Sequence, residues 1–99
     1  MADEKKRIAP YRIPHPGEVL REVIEGFTVT EVSERLHVSR VTMSKILNGR
    51  SAITAEMSLR LAAAFGGSNT FWLEMQNRFD VHKAMEKEQP KIVPFRQAA

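Results

Sequence analysis

Between Pro16 and Met85, apolar residues recur at intervals of three and four, and the breaks between the periodic runs are short. Val19, Leu20, Val23, Ile24 and Phe27 form an i, i+4 stripe, which predicts a first helix from Pro16 to about Glu25, closed by Gly26. Pro16 suits the first helical position, where its missing N–H would have had no partner anyway. Thr28-Val-Thr-Glu31 matches a capping box: the Thr hydroxyl accepts from the amide three residues on, and the Glu carboxylate reaches back. A second helix then runs from about Val29 to Leu36 and buries Val32 and Leu36. His37-Val38 leaves a very short break. Ser39 is a good N-cap for a third helix, which reaches Leu47 and is stopped by Asn48-Gly49. Thr54 caps a fourth helix, about Ala55 to Phe65, with Gly66-Gly67 after its end. Ser68 or Asn69 starts a fifth, which continues to roughly Met85. No segment reads as a strand and no internal repeat is visible, so the predicted class is all-α with five helices. Residues 1–15, with Pro10 and Pro14, read as an N-terminal arm, 16–86 as one domain, and 87–99, KEQPKIVPFRQAA, as a tail.

Two short helices joined by so few residues cross steeply, as in a helix-turn-helix, and the unit needs the other helices to cover it. On a wheel of ~100° per residue, Met43, Ile46 and Leu47 fall on one side of the third helix. Val41, Ser44, Lys45 and Asn48 fall opposite, with Arg40 on the flank. A DNA major groove admits one α-helix and displays acceptors, donors and thymine methyls. Lys or Arg can donate to guanine, Ser can meet several base edges, and an exposed Val can pack on a thymine methyl. The N-terminus of the third helix suits a phosphate. Asn48, Arg50 and Ser51, at its far end, are placed for backbone phosphates.

Charge sharpens this reading. The net charge of +3 and pI near 9.6 permit nucleic-acid binding without showing it. The distribution says more: Arg35, Arg40, Lys45 and Arg50 lie in a span, Arg35 to Ala55, that holds no Asp or Glu. The acids sit before it (Glu18, Glu22, Glu25, Glu31, Glu34) and after it (Glu56, Glu74, Asp80, Glu86, Glu88). Length and composition fit a single small domain: 99 residues, 42% hydrophobic and 27% charged. There is no cysteine to build a disulfide, a thiol nucleophile or a thiolate metal site. The start, MADEKKRIAPYRIP, lacks an apolar core of signal-peptide length, and no run approaches the ~20 apolar residues of a membrane span, so a cytoplasmic location and no membrane partner are expected.

The segment TVTEVSERLHVSRVTMSKILNGR resembles the helix-turn-helix of the Xre/Cro phage-repressor family, which implies a lambda-repressor-like fold. The flanks HPGEVLREVI, SAITAEMSLRLAAAFGGS and FWLEMQNRFDVHKA are similar to HigA-type antitoxins, once called virulence-associated protein I. The likeness covers His15 to Ala84. The helix-turn-helix alone specifies only a sequence-specific DNA binder, whereas the HPGE opening and the late FWLxxQ segment are more specific. His37 departs from the family, which usually has Gly in the turn at a left-handed position that His tolerates better than most residues.

The resemblance implies an antitoxin that neutralises a cognate toxin, commonly a HigB ribonuclease of RelE-like fold that cuts mRNA. It also implies a homodimer that represses its own operon at an inverted repeat of double-stranded DNA. Carried over position by position, the base-contact candidates are Ser39, Arg40, Val41, Ser44 and Lys45, and the phosphate candidates are Thr28, Asn48, Arg50 and Ser51.

Other readings stand beside this one. The outward face of the third helix could be a solvated surface with one stray valine. The chain could be a stand-alone Xre-type regulator without a toxin, or a protein-interaction module that never touches DNA. Phe71, Trp72, Met75 and Phe79 on the fifth helix suit a core, but with Leu73, Val81 and Met85 they exceed what so small a domain readily covers. That surplus suggests packing against a second copy, and two recognition helices ~34 Å apart would then meet successive major grooves. The arm Lys5-Lys6-Arg7 and Arg12 is either solvated or laid along DNA. Ile92, Val93 and Phe95 in the tail are either disordered or docked on the domain or a toxin. His15, His37 and His82 have no acids at metal-ligand spacing, Gly66-Gly67 is not a phosphate loop, and paired carboxylates such as Glu18 with Glu22 have no nucleophile beside them. No catalytic residue, metal or cofactor is expected.

Overall fold

A computed structural model describes residues 12–96 of the chain. Among these residues there are five α-helices and no strand: α1 Pro16–Val23, α2 Val29–Leu36, α3 Arg40–Leu47, α4 Ala55–Phe65 and α5 Phe71–Met85. The arm residues Lys5, Lys6 and Arg7 lie outside the described part.

Four of the five helices begin where a side chain replaces a missing backbone partner, whereas α5 has no side-chain cap at Thr70. Thr28 accepts from the Glu31 amide at 3.0 Å while Glu31 accepts from the Thr28 amide at 2.9 Å, so the expected capping box is formed. Ser39 accepts from the Thr42 amide at 3.0 Å and Thr54 from the Met57 amide at 3.1 Å. The α2–α3 turn is as tight as the sequence requires. His37 takes the left-handed conformation (φ 59°, ψ 44°) expected of that position. The Val38 amide then bonds the Ser33 carbonyl at 3.0 Å, and the His37 amide the Glu34 carbonyl at 3.2 Å, which closes a Schellman motif. Arg60, on α4, donates to the carbonyls of Leu36 and His37 and ties the turn to the body of the fold.

Two predicted boundaries shift. α1 ends at Val23 rather than near Glu25, because Ile24 already departs from helical geometry (φ −91°, ψ 8°) and the Glu25 amide bonds the Glu22 carbonyl at 3.3 Å in a tighter turn, before Gly26 (φ 98°) redirects the chain. Phe27, placed in the α1 stripe on sequence, therefore leaves the core and is half exposed. α5 starts at Phe71 instead of Ser68 or Asn69. The Ser58 hydroxyl donates to the Asn69 carbonyl at 2.7 Å and holds that residue in the preceding turn.

The core gathers one face of every helix: Leu20, Val32, Leu36, Met43, Ile46, Leu61 and Trp72, with Ile53 from the α3–α4 loop. α3 packs against α1 and α2, α4 bridges α2 and α5, and α5 returns to α1. Trp72 and Met75 are buried, whereas Val81 and Met85, one to three turns further along α5, are exposed. No helix is long and apolar enough to cross a membrane among the described residues.

Candidate nucleic-acid interface

α3 is only eight residues, too short to hold itself together in water. Tertiary contacts must fix it. Met43, Ile46 and Leu47 are buried, and burying each such side chain contributes about 1.5–3 kcal/mol. Its C-terminal end is closed by a second Schellman motif. Gly49 is left-handed (φ 73°), its amide bonds the Ile46 carbonyl at 3.0 Å, and the Arg50 amide bonds the Lys45 carbonyl at 2.8 Å.

The stretch His15-Pro-Gly-Glu18 forms the seat for that end. The buried His15 ring caps α1 through Nδ1, which accepts from the Gly17 amide at 2.9 Å. Its edge meets Phe79 of α5, with centroids 4.9 Å apart. Pro16 occupies the first helical position, as expected. Gly17 lies directly against the backbone of α3, where a Cβ would overlap the Ile46 carbonyl oxygen and stand 3.0 Å from its carbon. Glu18 completes the cap by accepting from the His15 amide at 3.3 Å and is clamped by both terminal nitrogens of Arg12, at 2.8 and 3.1 Å. The Arg12 guanidinium holds the Glu18 carboxyl below the usual carboxylate range, against an opposing effect of burial and with a lesser contribution from the His15 amide.

Two further side chains hold the unit. Arg21 donates from Nε to the Leu47 carbonyl at 3.0 Å and from Nη2 to Asn48 Oδ1 at 2.6 Å. Gln76, buried on α5, accepts from the Ile53 amide at 2.8 Å and donates to Asp80 at 2.9 Å, fixing the loop that carries Arg50 and Ser51. Neither Arg21 nor Gln76 was singled out on sequence. The FWLxxQ and HPGE segments carried the signal as resemblance, but not its physical reason.

Of the expected base-contact residues, Ser39, Arg40, Val41, Ser44 and Lys45 are all exposed. Arg40, Val41, Ser44 and Lys45 line one shallow depression together with Val29 of α2. Val41 keeps 64% of its surface in water, which no packing requirement explains. Ser39 stands at the N-terminus, where its hydroxyl is engaged in the cap and with Thr42.

The phosphate candidates divide. Arg50 is exposed and Ser51 half-buried at the C-terminal end of α3. Asn48 is exposed, its carbonyl oxygen accepts from Arg21, and its amide nitrogen donates to Ser44 Oγ at 3.4 Å, which leaves one amide hydrogen for a further partner. Thr28 stands apart. Its hydroxyl is engaged by the Glu31 amide and lies 3.4 Å from the Glu31 carboxylate, which sets an acid beside it.

Comparison with known proteins agrees with this geometry. The helix-turn-helix family profile matches residues 20–73. Virulence-associated protein A' of Dichelobacter nodosus is 34% identical over 91 residues, spanning 86% of this chain and 79% of that protein. Virulence-associated protein I of the same organism is 37% identical over 78 residues, spanning 76% and 72%. Among solved structures, the Pseudomonas aeruginosa antitoxin HigA with the higBA promoter superposes with a TM-score of 0.73 at 31% identity, covering 76% of this chain and 85% of that one. A compact helical scaffold, a tight turn and a proud, acid-free third helix thus coincide with the family match, and the chain belongs to the Xre-type helix-turn-helix family, among relatives that include HigA antitoxins and virulence-associated protein I.

Proposed function

We propose that the chain binds operator DNA as a homodimer through α3, represses its own operon, and neutralises a cognate toxin of the HigB type. The carrying observation is the exposed set Arg40, Val41, Ser44 and Lys45 around one depression on a helix with no acid. Arg40 and Lys45 supply donors to guanine, Ser44 an adaptable hydroxyl, and Val41 an apolar contact for a thymine methyl. Ser39 joins the base contacts from the α3 N-terminus, and Asn48, Arg50 and Ser51 at the other end would hold backbone phosphates and set the register. Thr28 has the weakest case among the phosphate candidates, given the adjoining Glu31 carboxylate.

The dimer draws support from the end of α5. Val81 and Met85 are exposed there beside Ile13 and form an apolar strip that no other described residue covers. Two copies joined there would present paired recognition helices to an inverted repeat. Residues 16–86 act as the DNA-binding unit in this reading, with the arm 1–15 and the tail 87–99 outside it, and the protein works in the cytoplasm alongside its operator. The antitoxin role is drawn from the relatives.

Two measurements test the proposal. Fluorescence anisotropy against the chain's own upstream DNA, with scrambled duplex as competitor, should give a specific complex whose affinity falls steeply with salt. Co-expression with the product of the adjacent gene should restore growth and yield a co-purifying complex. Specific binding without any toxic neighbour would leave a stand-alone regulator, and absence of specific binding would overturn the DNA role.

A further inference from the structure

We propose that the cleft between α1, α2 and α4 receives the apolar C-terminal segment Ile92–Phe95 of a second copy of the chain. The proposal rests on the dimer above and adds where each copy's tail goes.

The cleft is walled by Val23, Phe27, Val32, Leu36, Ala64 and Phe65 and encloses about 200 Å³, room for a large side chain. Val23, Phe27 and Phe65 remain 38%, 53% and 37% exposed and meet at this one cleft. Nothing of α3 lines it, so an occupant would leave the DNA face free. The segment shows the matching deficit. Ile92 and Val93 are each 75% exposed and Phe95 is fully exposed. Pro90 and Pro94 restrict the backbone around them, which lowers the entropy lost on docking.

Charge complementarity points to the same pairing. The α1–α2 corner carries exposed Glu22, Glu25, Glu31 and Glu34 against a single cation at the cleft, Arg35. The segment is bracketed by Lys91 and Arg96 and contains no acid. Exchange between copies fits better than folding back, because within one chain no described residue buries Ile92, Val93 or Phe95. It also leaves α5 next to the uncovered Val81 and Met85, the strip at which a second copy would sit.

The chain has no cysteine, so introduced thiols report pairing without background. Single variants Arg35→Cys and Val93→Cys are co-refolded and mildly oxidised. The expected result is an interchain disulfide forming at least about tenfold faster than between Val93→Cys and a Lys45→Cys control on α3, as a docked segment raises the local thiol concentration. Adding Phe95→Asp to the Val93→Cys chain should return the rate to that of the control. Pairing no faster than the control overturns the proposal and leaves the cleft to another protein. Ring closure within the double variant at high dilution, without pairing between the singles, overturns it in favour of the chain's own tail. Solution mass separates the two levels: a monomer removes both the dimer and the exchange, whereas a dimer without fast pairing removes only the exchange.

Discussion

Replacing Gly17 with alanine tests the seat beneath the recognition helix. In an ordinary helix this change stabilises by up to about 1 kcal/mol, because alanine is the better helix former. Here the new methyl would overlap the Ile46 carbonyl oxygen and stand 3.0 Å from its carbon. Both are backbone atoms of a buried turn, so no side chain can swing away. Ordinary C···O approaches are about 3.3 Å, so α1 must retreat from α3 by roughly an ångström or more. That retreat strains the Arg21 bond to the Leu47 carbonyl, worth about 1 kcal/mol, on top of about 1–3 kcal/mol for overpacking. After the helix-propensity gain is subtracted, the net loss is about 2 kcal/mol. For a domain of this size that lowers the melting temperature by roughly 8–16 °C. Thermal denaturation followed by circular dichroism, at fixed protein concentration, measures it. Gly26→Ala is the companion: its φ of 98° imposes backbone strain of about 1 kcal/mol, but a Cβ there meets nothing within 4 Å. Gly26→Ala should leave operator affinity unchanged among folded molecules, whereas Gly17→Ala should weaken it by displacing α3. A Gly17→Ala protein that melts at or above the wild-type temperature would refute the seat.

Four more outcomes separate the roles assigned to other residues. Lys45→Ala should lose ~1–3 kcal/mol of discrimination at one base pair, while Arg50→Ala weakens all sequences alike and flattens the salt dependence; identical behaviour in a binding titration would mean that α3 is misoriented. Arg21→Met should cost about 1–2 kcal/mol in chemical denaturation and lower operator affinity. In a double-mutant cycle with Asn48→Ala the two losses should be less than additive, and full additivity would deny that Arg21 acts through Asn48. Glu18 titrates below the usual carboxylate range in the fold, so its contribution is present above its unfolded pKa and disappears as pH falls through the lowered folded value. Glu18→Gln should therefore destabilise at neutral pH with a gap that closes in acid, and a pH-independent gap in denaturant midpoints would contradict the Arg12 clamp. His37→Gly should gain about 0.5–1 kcal/mol by relieving the left-handed His, less the greater entropy of an unfolded glycine, and a lower melting temperature would show that the His side chain contributes something else.

What could be read from sequence was local. The capping box at Thr28–Glu31 and the Ser39 and Thr54 caps follow from side chains bonding their own neighbours, so spacing alone reveals them, whereas the left-handed His37 follows from the glycine that the resembling family has in that turn. The wheel also sorted α3 correctly, with Met43, Ile46 and Leu47 inside and Val41, Ser44 and Lys45 outside. What escaped was long-range. The sequence offers His15 as a part of the HPGE opening and as a poor metal ligand, but not its burial against Phe79, a residue far along the chain. Arg21 reads as an ordinary helix-surface cation until α3 is seen to end at its tip, and Gln76 as a polar residue until the Ile53 amide is found beneath it. Phe27 was misassigned because periodicity continues past the point where Gly26 turns the chain away.

This division explains how an eight-residue helix can carry recognition. A helix of two turns gains too little from its own hydrogen bonds to persist, so its order must be imported. Here every import arrives on the inward side or at the two ends: Ser39 at the start, Gly49 and Arg50 at the finish, Gly17 and Arg21 from α1, Met43 and Ile46 from the core. None of these contacts uses the side chains of Arg40, Val41 or Lys45, and Ser44 contributes only a long bond to Asn48. The outward face is therefore released from any duty to the fold, and its composition can be set by the surface it meets. On the proposed DNA contact, the absence of acids from Arg35 to Ala55, in a chain that holds 12 of them elsewhere, follows from that surface, because a carboxylate there would face phosphates with no structural contact to offset the repulsion.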